Sequence, residues 1–232
     1  MKRWLFALIL CGFFGLATAQ VSQYTVIAPP YTEVFDFTPP CPDGQMCANF
    51  TPAMGHSGSF TVASPLAPNL AFQDISSLLT AYSFSDGINT YSSTDVNSRI
   101  YLFAVETDAQ GQVTDAQIFL ERWLTGTNGA HVPGDRFSIM ALGLIGYHNA
   151  ICAEVAASPS NGTELCAELT NEDEALSAAG YSGPSLAWSR ASLSDQIVSV
   201  PTLSQWALLA MVFFMMLLVI AKNNGLRKQV NG

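Results

Sequence analysis

The sequence has no lysine between Lys2 and Lys222, and few other cations stand in that interval. All eighteen carboxylates of the chain fall between Gln20 and Ser199, a stretch with a net charge of −14 because only four arginines oppose them, Arg99, Arg122, Arg136 and Arg190. A surface of this sign repels phosphates, so we exclude nucleic acid and anionic lipid as partners held by phosphate contacts. The negative charge is compatible with binding of divalent cations, although the need to keep the protein soluble is enough to explain it.

Common catalytic and metal-binding motifs are missing as well. Gly55-His56-Ser57-Gly58 only resembles the G-x-S-x-G element of serine hydrolases, and the run from Asp108 to Gln112 with Asp115 lacks the spacing of a calcium loop. We interpret that run as a hairpin connection. The histidines are scattered, with no nucleophile beside them: His56, His131 and His148. We therefore predict no catalytic residue, no metal and no cofactor.

Long apolar runs occur only at the two ends of the chain. At the first end, Lys2 and Arg3 precede the apolar run from Trp4 to Leu16, and small residues Ala17 and Ala19 follow. This order is typical of a cleaved secretory signal, and it predicts a signal peptide over residues 1–19. An uncleaved anchor is the alternative, but the run is short for a membrane span. A lipoprotein signal through Cys11 would need a small residue where Leu10 stands.

The second apolar run predicts a transmembrane helix over residues 203–223. Its 21 residues would span about 31 Å as a helix, enough for a hydrocarbon core of about 30 Å. Thr202 and Gln205 have capping-box spacing at its start, and Trp206 falls where indole rings favour the membrane interface. The basic residues after it, Lys222, Arg227 and Lys228, predict a cytoplasmic tail by the positive-inside rule. Both ends thus place the body outside the cytoplasm.

The segment Val200-Pro201-Thr202-Leu203-Ser204-Gln205-Trp206, followed by an apolar helix and a basic tail, resembles the IPTL-CTERM sorting signal of Gram-negative bacteria. The resemblance covers residues 200–228, with Val200 for the isoleucine and Ala207 for the glycine of the pattern. It implies an exosortase-type membrane enzyme as partner, after delivery by the export machinery, and a secreted or cell-surface destination. Pro201 keeps the segment before it extended and outside the helix, as a processing enzyme requires. An ordinary single-pass anchor is the alternative.

Four cysteines remain outside the signal peptide. An even number in an oxidising compartment predicts two disulfides, and three connectivities are available. We favour Cys41–Cys47 and Cys152–Cys166, because each pair encloses a turn-rich loop. A zinc site is a weaker alternative, since the spacings are not C-x-x-C.

The body, residues 20–191, is predicted as one mainly β domain of sandwich-like architecture with one or two short helices. Gly58–Ala63 alternates like a half-buried strand, and Arg99–Trp123 forms two strands joined by the loop 108–112. Asp86-Gly87 predicts a two-residue hairpin turn that sets Tyr82 opposite Tyr91.

The later part of the body gives weaker signals. Residues 135–147 predict one buried strand, and the runs around Cys152 and Cys166 predict others. Residues 171–179 predict a helical turn, because Asn171 and Glu174 have capping-box spacing. Residues 192–199 are predicted as a linker. The order of motifs in the body also resembles an uncharacterised β-rich ectodomain found among exosortase-sorted proteins.

Two functions fit these features. The first is a non-enzymatic envelope protein with a structural, matrix or adhesive body. The alternative is a membrane-anchored carbohydrate-binding domain or surface hydrolase, with extracellular polysaccharide as a candidate partner. Trp123 and Trp188 could stack on sugars, but core packing is the commoner role of such side chains.

Overall fold

The computed structural model describes residues 20–36, 48–170, 176–180, 186–193 and 211–213. The chain divides into two units, the first ending at Leu193 and the second beginning at Ser194. The signal peptide, the Cys41–Cys47 pair, the helix start at 171–175 and the motif Val200–Trp206 lie outside the described residues.

The predicted transmembrane helix also lies almost wholly outside them. Only residues 211–213 of that stretch are described, and these are helical. Across the part of the chain that the structure describes, no helix is long and apolar enough to cross a bilayer.

Among the described residues of the first unit, nearly all of the regular secondary structure consists of strands. In chain order these are β1 (Val21–Ile27), β2 (Glu33–Asp36), β3 (Ser57–Val62), β4 (Gln73–Asp74), β5 (Leu79–Ser85), β6 (Thr90–Ser92), β7 (Ser98–Thr107), β8 (Val113–Trp123), β9 (Arg136–Ala141), β10 (Ile145–Ala157), β11 (Glu164–Leu169), β12 (Ser177–Gly180) and β13 (Ala187–Leu193). A single 3₁₀ turn, Ser76–Leu78, is the helical element of this unit among the described residues. The prediction of a mainly β body is confirmed.

The strands form two sheets. The first has the order β13-β1-β3-β5-β6, and the second has the order β2-β12-β10-β9-β8-β7-β4, with β11 paired to β10. Adjacent strands of both sheets run antiparallel. The first of the described strands therefore pairs with the last of them, with Val21 opposite Leu193.

A shared core holds the two sheets together. Inward side chains of the first sheet, such as Phe60 and Phe84, lie in one buried cluster with Phe103, Ile118 and others of the second. The ring of Phe60 meets that of Phe103 edge to face, with centroids 5.2 Å apart. Alternation along each strand turns these side chains inward and their neighbours outward.

The hairpin predicted over Arg99–Trp123 is confirmed. Strands β7 and β8 flank a loop of residues 108–112, and the Asp108 carboxylate accepts the N–H groups of Gln110 and Gln112. That acid is therefore part of the loop's own hydrogen bonding, as the hairpin interpretation requires.

Two other hairpin details were wrong. The loop around Gly87 has four residues, 86–89, so that Phe84 rather than Tyr82 lies opposite Tyr91. Residues 135–147 form the whole of β9, a tight turn and the start of β10 rather than one strand, because Gly143 adopts a positive φ of 72° that reverses the chain.

The helical turn predicted up to residue 179 was also wrong over its described part. Ser177–Gly180 forms β12, which pairs with β10 on one side and β2 on the other. Alanine favours helix, but two alanines contribute little free energy. The ladder hydrogen bonds available on both sides outweigh that contribution. At the end of the body, β13 continues through Ser192 and Leu193, which the sequence had suggested as linker.

Candidate functional site

Most outward side chains of the first sheet are small and uncharged. Strand pairing arranges them in three rows that run across the sheet: Ala191, Gln23, Thr61 and Ala81; Ser189, Thr25, Ser59, Ser83 and Ser92; and Ala187, Ile27, Ser57, Ser85 and Thr90. We call these fourteen residues the hydroxyl face, because nine of them are serine or threonine. The middle row carries a hydroxyl on every strand of the sheet.

No member of the hydroxyl face is charged, although the body carries eighteen carboxylates. Ile27, at the rim, is its one large apolar side chain and is 65% exposed. The inward neighbours include the aromatic side chains of Tyr24, Phe60 and Tyr91, which have no exposed surface. The face is therefore a rigid surface of hydroxyl, methyl and amide groups on an aromatic base.

Two depressions adjoin this face and share residues of β6. One, of about 360 Å³, lies on the face itself between Gln23, Thr61 and Ser83. The other, a cleft of about 530 Å³, begins at the shared residues Thr90 and Ser92 and continues over the edge of the sheet. The surface is thus continuous from the rows of hydroxyls into the cleft.

An ion pair lines the far side of the cleft. Arg122 donates from Nε to Asp95 Oδ2 at 2.7 Å, with the two side chains 27% and 24% exposed. Burial opposes ionisation of Asp95, but hydrogen bonds from Asn97 and Arg122 outweigh it and hold the pKa of this carboxyl below its ordinary value. Among the described residues, the terminal NH₂ groups of Arg122 have no hydrogen-bond partner, so they remain available as donors.

A buried polar network forms the floor of the cleft. Asp86 has no exposed surface, and its carboxylate accepts four hydrogen bonds, from Ile88 N, Asn89 N, Asn89 Nδ2 and Tyr91 Oη, at 2.6–3.1 Å. Asn89 Nδ2 also lies 3.2 Å from His148 Nδ1. An amide nitrogen only donates, so Nδ1 accepts and the imidazole carries its proton on Nε2. The network thereby fixes the turn at 86–89 and the two side chains, Asn89 and His148, that line the cleft.

A serine also contacts this histidine. Ser138 Oγ lies 3.1 Å from His148 Nδ1, the kind of contact that activates a nucleophile in serine hydrolases. Ser138 has no exposed surface, however, so no substrate carbonyl can reach its hydroxyl in this conformation. The pair serves as packing beneath the cleft.

The disulfide predicted between Cys152 and Cys166 is present. It joins β10 to β11 with the two Cα atoms 5.6 Å apart. Glu121 lies against it, 1% exposed, and accepts the Cys166 N–H at 2.9 Å. The nearby Arg99 guanidinium donates to the carbonyl oxygens of Glu164, Val96 and Ser98 and to the Asn128 side chain. Burial therefore dominates and raises the pKa of Glu121 to about 8.

Glu121→Gln is expected to flatten the fall of stability with pH. Above about pH 4.5 the carboxyl ionises in the unfolded chain, whereas the folded chain keeps it protonated up to about pH 8. The folded state then binds more protons, so wild-type stability falls across this window, while glutamine does not ionise and still accepts the Cys166 N–H. Urea midpoints measured between about pH 4.5 and about pH 8 test this. Exposed Glu168→Gln serves as control and should run parallel to wild type; a parallel curve for Glu121→Gln would contradict it.

Of the tryptophans that the structure describes, Trp123 lies in the core and Trp188, partly buried, packs against it. Trp123 is buried, stacks on His131 with ring centroids 4.0 Å apart, and donates its Nε1–H to the Glu164 carbonyl. Trp188 packs against Phe60 at 6.0 Å. The packing interpretation of both side chains is therefore confirmed.

The histidines are buried at three separate places. His56 accepts the Gly143 N–H through Nδ1 at 2.9 Å, and burial lowers the pKa of its ring to about 4. His131 packs on Trp123, and His148 lies beneath the cleft. Within the described ranges, no three His, Cys, Asp or Glu side chains are grouped so as to hold a metal ion.

Sequence reasoning missed both the hydroxyl face and the cleft. Alternation predicted the half-buried strand at Phe60 and Val62. The polar residues on the other side of that strand do not, by themselves, indicate a binding surface. The available signal was the Ser and Thr content of every strand that joins the first sheet.

Comparison with known families finds the IPTL-CTERM motif at residues 198–227. The match includes Val200–Trp206 and the basic residues Lys222 and Arg227, and it ends one residue before Lys228. Comparisons of the chain with curated proteins and with solved structures gave no match. The chain therefore carries a C-terminal sorting signal, which is a feature of exported, surface-directed proteins.

Proposed function

We propose that this chain, with its IPTL-CTERM signal at residues 198–227, is a cell-envelope protein held at the outer face of the membrane and then processed by an exosortase-type enzyme. The match to the motif carries this proposal. The apolar run 203–223 serves as a temporary anchor, and the residues that flank it set its orientation and depth. After cleavage near Pro201-Thr202 the body is released at the surface or transferred to another acceptor.

We propose further that the body has an adhesive or matrix role rather than an enzymatic one. Its most buried polar side chains support the fold: Asp86 holds a turn, Ser138 packs on His148, and Glu121 accepts a backbone N–H. Its exposed sheet, by contrast, presents rows of mostly small, uncharged side chains, the majority of which carry a hydroxyl group. Rigid, regular and uncharged surfaces of this kind suit contact with another surface better than chemistry at one atom.

Pro201→Ala is expected to slow processing at least several-fold without changing export. Proline disfavours helix at the residue before it, so its removal lets the helix extend outward over the cleavage segment. The measurement is the molecular weight of a tagged chain over time, in hosts with and without the sorting enzyme. A matched control is Pro159→Ala, in a turn of the body remote in sequence from the tail. A tail that persists in both hosts would show that the segment is only an anchor.

A further inference from the structure

The hydroxyl face carries no charged residue, and exposure to solvent alone does not require this. Fourteen outward positions on five strands carry no charge, in a body where carboxylates are otherwise spread over loops and strands. Exposed strand positions ordinarily include charged residues, which keep sheets soluble and prevent them from associating. Here Ser59, Ser83 and Ser92 occupy three consecutive cross-strand positions where charged residues would be tolerated.

We infer that the hydroxyl face and the adjoining cleft together bind a neutral polysaccharide. The inference rests on the proposed adhesive role and names its ligand. An anionic polymer is disfavoured, because the body around the face has a net charge of −14 and repels it. A neutral glycan meets no such repulsion, and it offers the hydroxyl groups that match this surface.

The spacing of the rows suits an extended chain. Hydroxyls on neighbouring strands stand about 4.8 Å apart, and successive outward residues on one strand about 6.8 Å apart. Ser and Thr hydroxyls both donate and accept, as sugar hydroxyls do, so each contact can be satisfied in either direction. Gln23, which donates to Ser59 at 3.2 Å, adds an amide with the same dual capacity.

The cleft supplies stronger groups at the end of the face. The free NH₂ groups of Arg122 donate, while the Asp95 carboxylate beside them accepts, and the pair is neutral as a whole. Charge-assisted hydrogen bonds of this kind are shorter and stronger than those between neutral groups. A sugar with two adjacent hydroxyls can accept from Arg122 and donate to Asp95 at once, which would fix its orientation.

A second copy of the chain fits the face less well. Five strands and three rows cover about 24 Å by about 20 Å, roughly 500 Å², whereas a stable dimer buries about 800 Å² on each partner. Two such faces in contact would also bury nine hydroxyl-bearing side chains on each side without dedicated partners. A glycan supplies those partners along its whole length.

The test is native gel electrophoresis of the full-length chain in a polyoxyethylene detergent, which carries no sugar. The gels contain dextran, hydroxyethylcellulose or glucomannan as neutral probes, or alginate as an anionic probe. At least one neutral probe should retard the chain at least twofold, and alginate should not. Because none of the fourteen residues of the hydroxyl face is aromatic, we expect retardation that depends on probe concentration rather than tight binding.

Thr25→Glu, in the middle row, should abolish the retardation by placing a charge at the centre of the face. Thr114→Glu is the matched control, since it adds the same charge at an exposed threonine of β8 outside the face and cleft. Mobilities in gels without polysaccharide correct for the charge itself. If Thr25→Glu fails to fold, the double variant Ser59→Ala with Ser83→Ala takes its place and should halve the retardation or more.

Three outcomes would overturn the inference. They are no retardation by any of the three neutral probes, unchanged retardation of a folded Thr25→Glu or double alanine variant, and retardation by alginate alone. Sedimentation that shows a dimer lost in Thr25→Glu would assign the face to a second copy instead. Each result is independent of tail processing, because the purified chain is tested without the sorting enzyme.

Discussion

Asp86→Ala is expected to lower the free energy of unfolding by about 3–5 kcal/mol. The substitution leaves four donors, three of them buried, without this acceptor: two backbone N–H groups, the Asn89 amide and the Tyr91 hydroxyl. Each unsatisfied buried group costs about 1–3 kcal/mol, and relaxation of the turn recovers part of the total. This would be among the largest effects of a single substitution in a domain of this size.

Urea unfolding followed by tryptophan fluorescence measures this loss. Glu168→Ala is the control, because it also removes one carboxylate but from an exposed position of β11, and it should change stability by less than about 0.5 kcal/mol. Tyr91→Phe removes only one of the four bonds and should cost about 1 kcal/mol. An Asp86→Ala chain as stable as its control would show that the network contributes little to stability.

The double variant Cys152→Ala with Cys166→Ala is expected to lose about 3 kcal/mol. The bond closes a loop with a sequence separation of 14, and in the chain-entropy account a loop of about 15 residues restricts the unfolded chain by that amount. The bond also fixes β11, which pairs only with β10 among the described strands. Its loss should therefore free β11 before the rest of the second sheet.

The stability of the double variant and of wild type is compared in denaturant with and without dithiothreitol. Reductant should destabilise wild type by at least as much as the double substitution, and any effect that it has on the variant should come from Cys41 and Cys47. Hydrogen exchange should show amides of residues 164–169 losing protection first. Equal stability of variant and wild type in the absence of reductant would contradict the prediction.

Local alternation accounts for the parts of the fold that the sequence predicted well. The β7–β8 hairpin has long arms with regular burial, and a short loop closed by Asp108. The turn near Gly87 was placed correctly, but its length was not, because the Asp86 side chain bonds back to the N–H groups of residues 88 and 89. That competition between side chain and backbone is not visible in a two-residue turn signal.

The candidate site depends on contacts between residues distant in sequence. Thr25 meets Ser189 on one side and Ser59 on the other, and Arg122 reaches Asp95 across the β7–β8 hairpin. Each of these residues has an ordinary local context, so no motif distinguishes them. Strand order, which periodicity does not specify, creates both the hydroxyl rows and the cleft. The sorting signal, by contrast, is a contiguous motif and could be identified from sequence alone.

The pairing of β1 with β13 has a consequence for the order in which the molecule assembles. Among the described strands β1 is the first to leave the ribosome, yet its register partners from Ala187 to Leu193 are the last to follow. Until then one side of β1 has no ladder, and contacts of such long sequence separation form slowly. A chain interrupted before residue 187 keeps an open edge beside β1, which quality-control proteases and other unpaired strands can engage. The first sheet can therefore close only after synthesis has passed Leu193, immediately before the C-terminal segment.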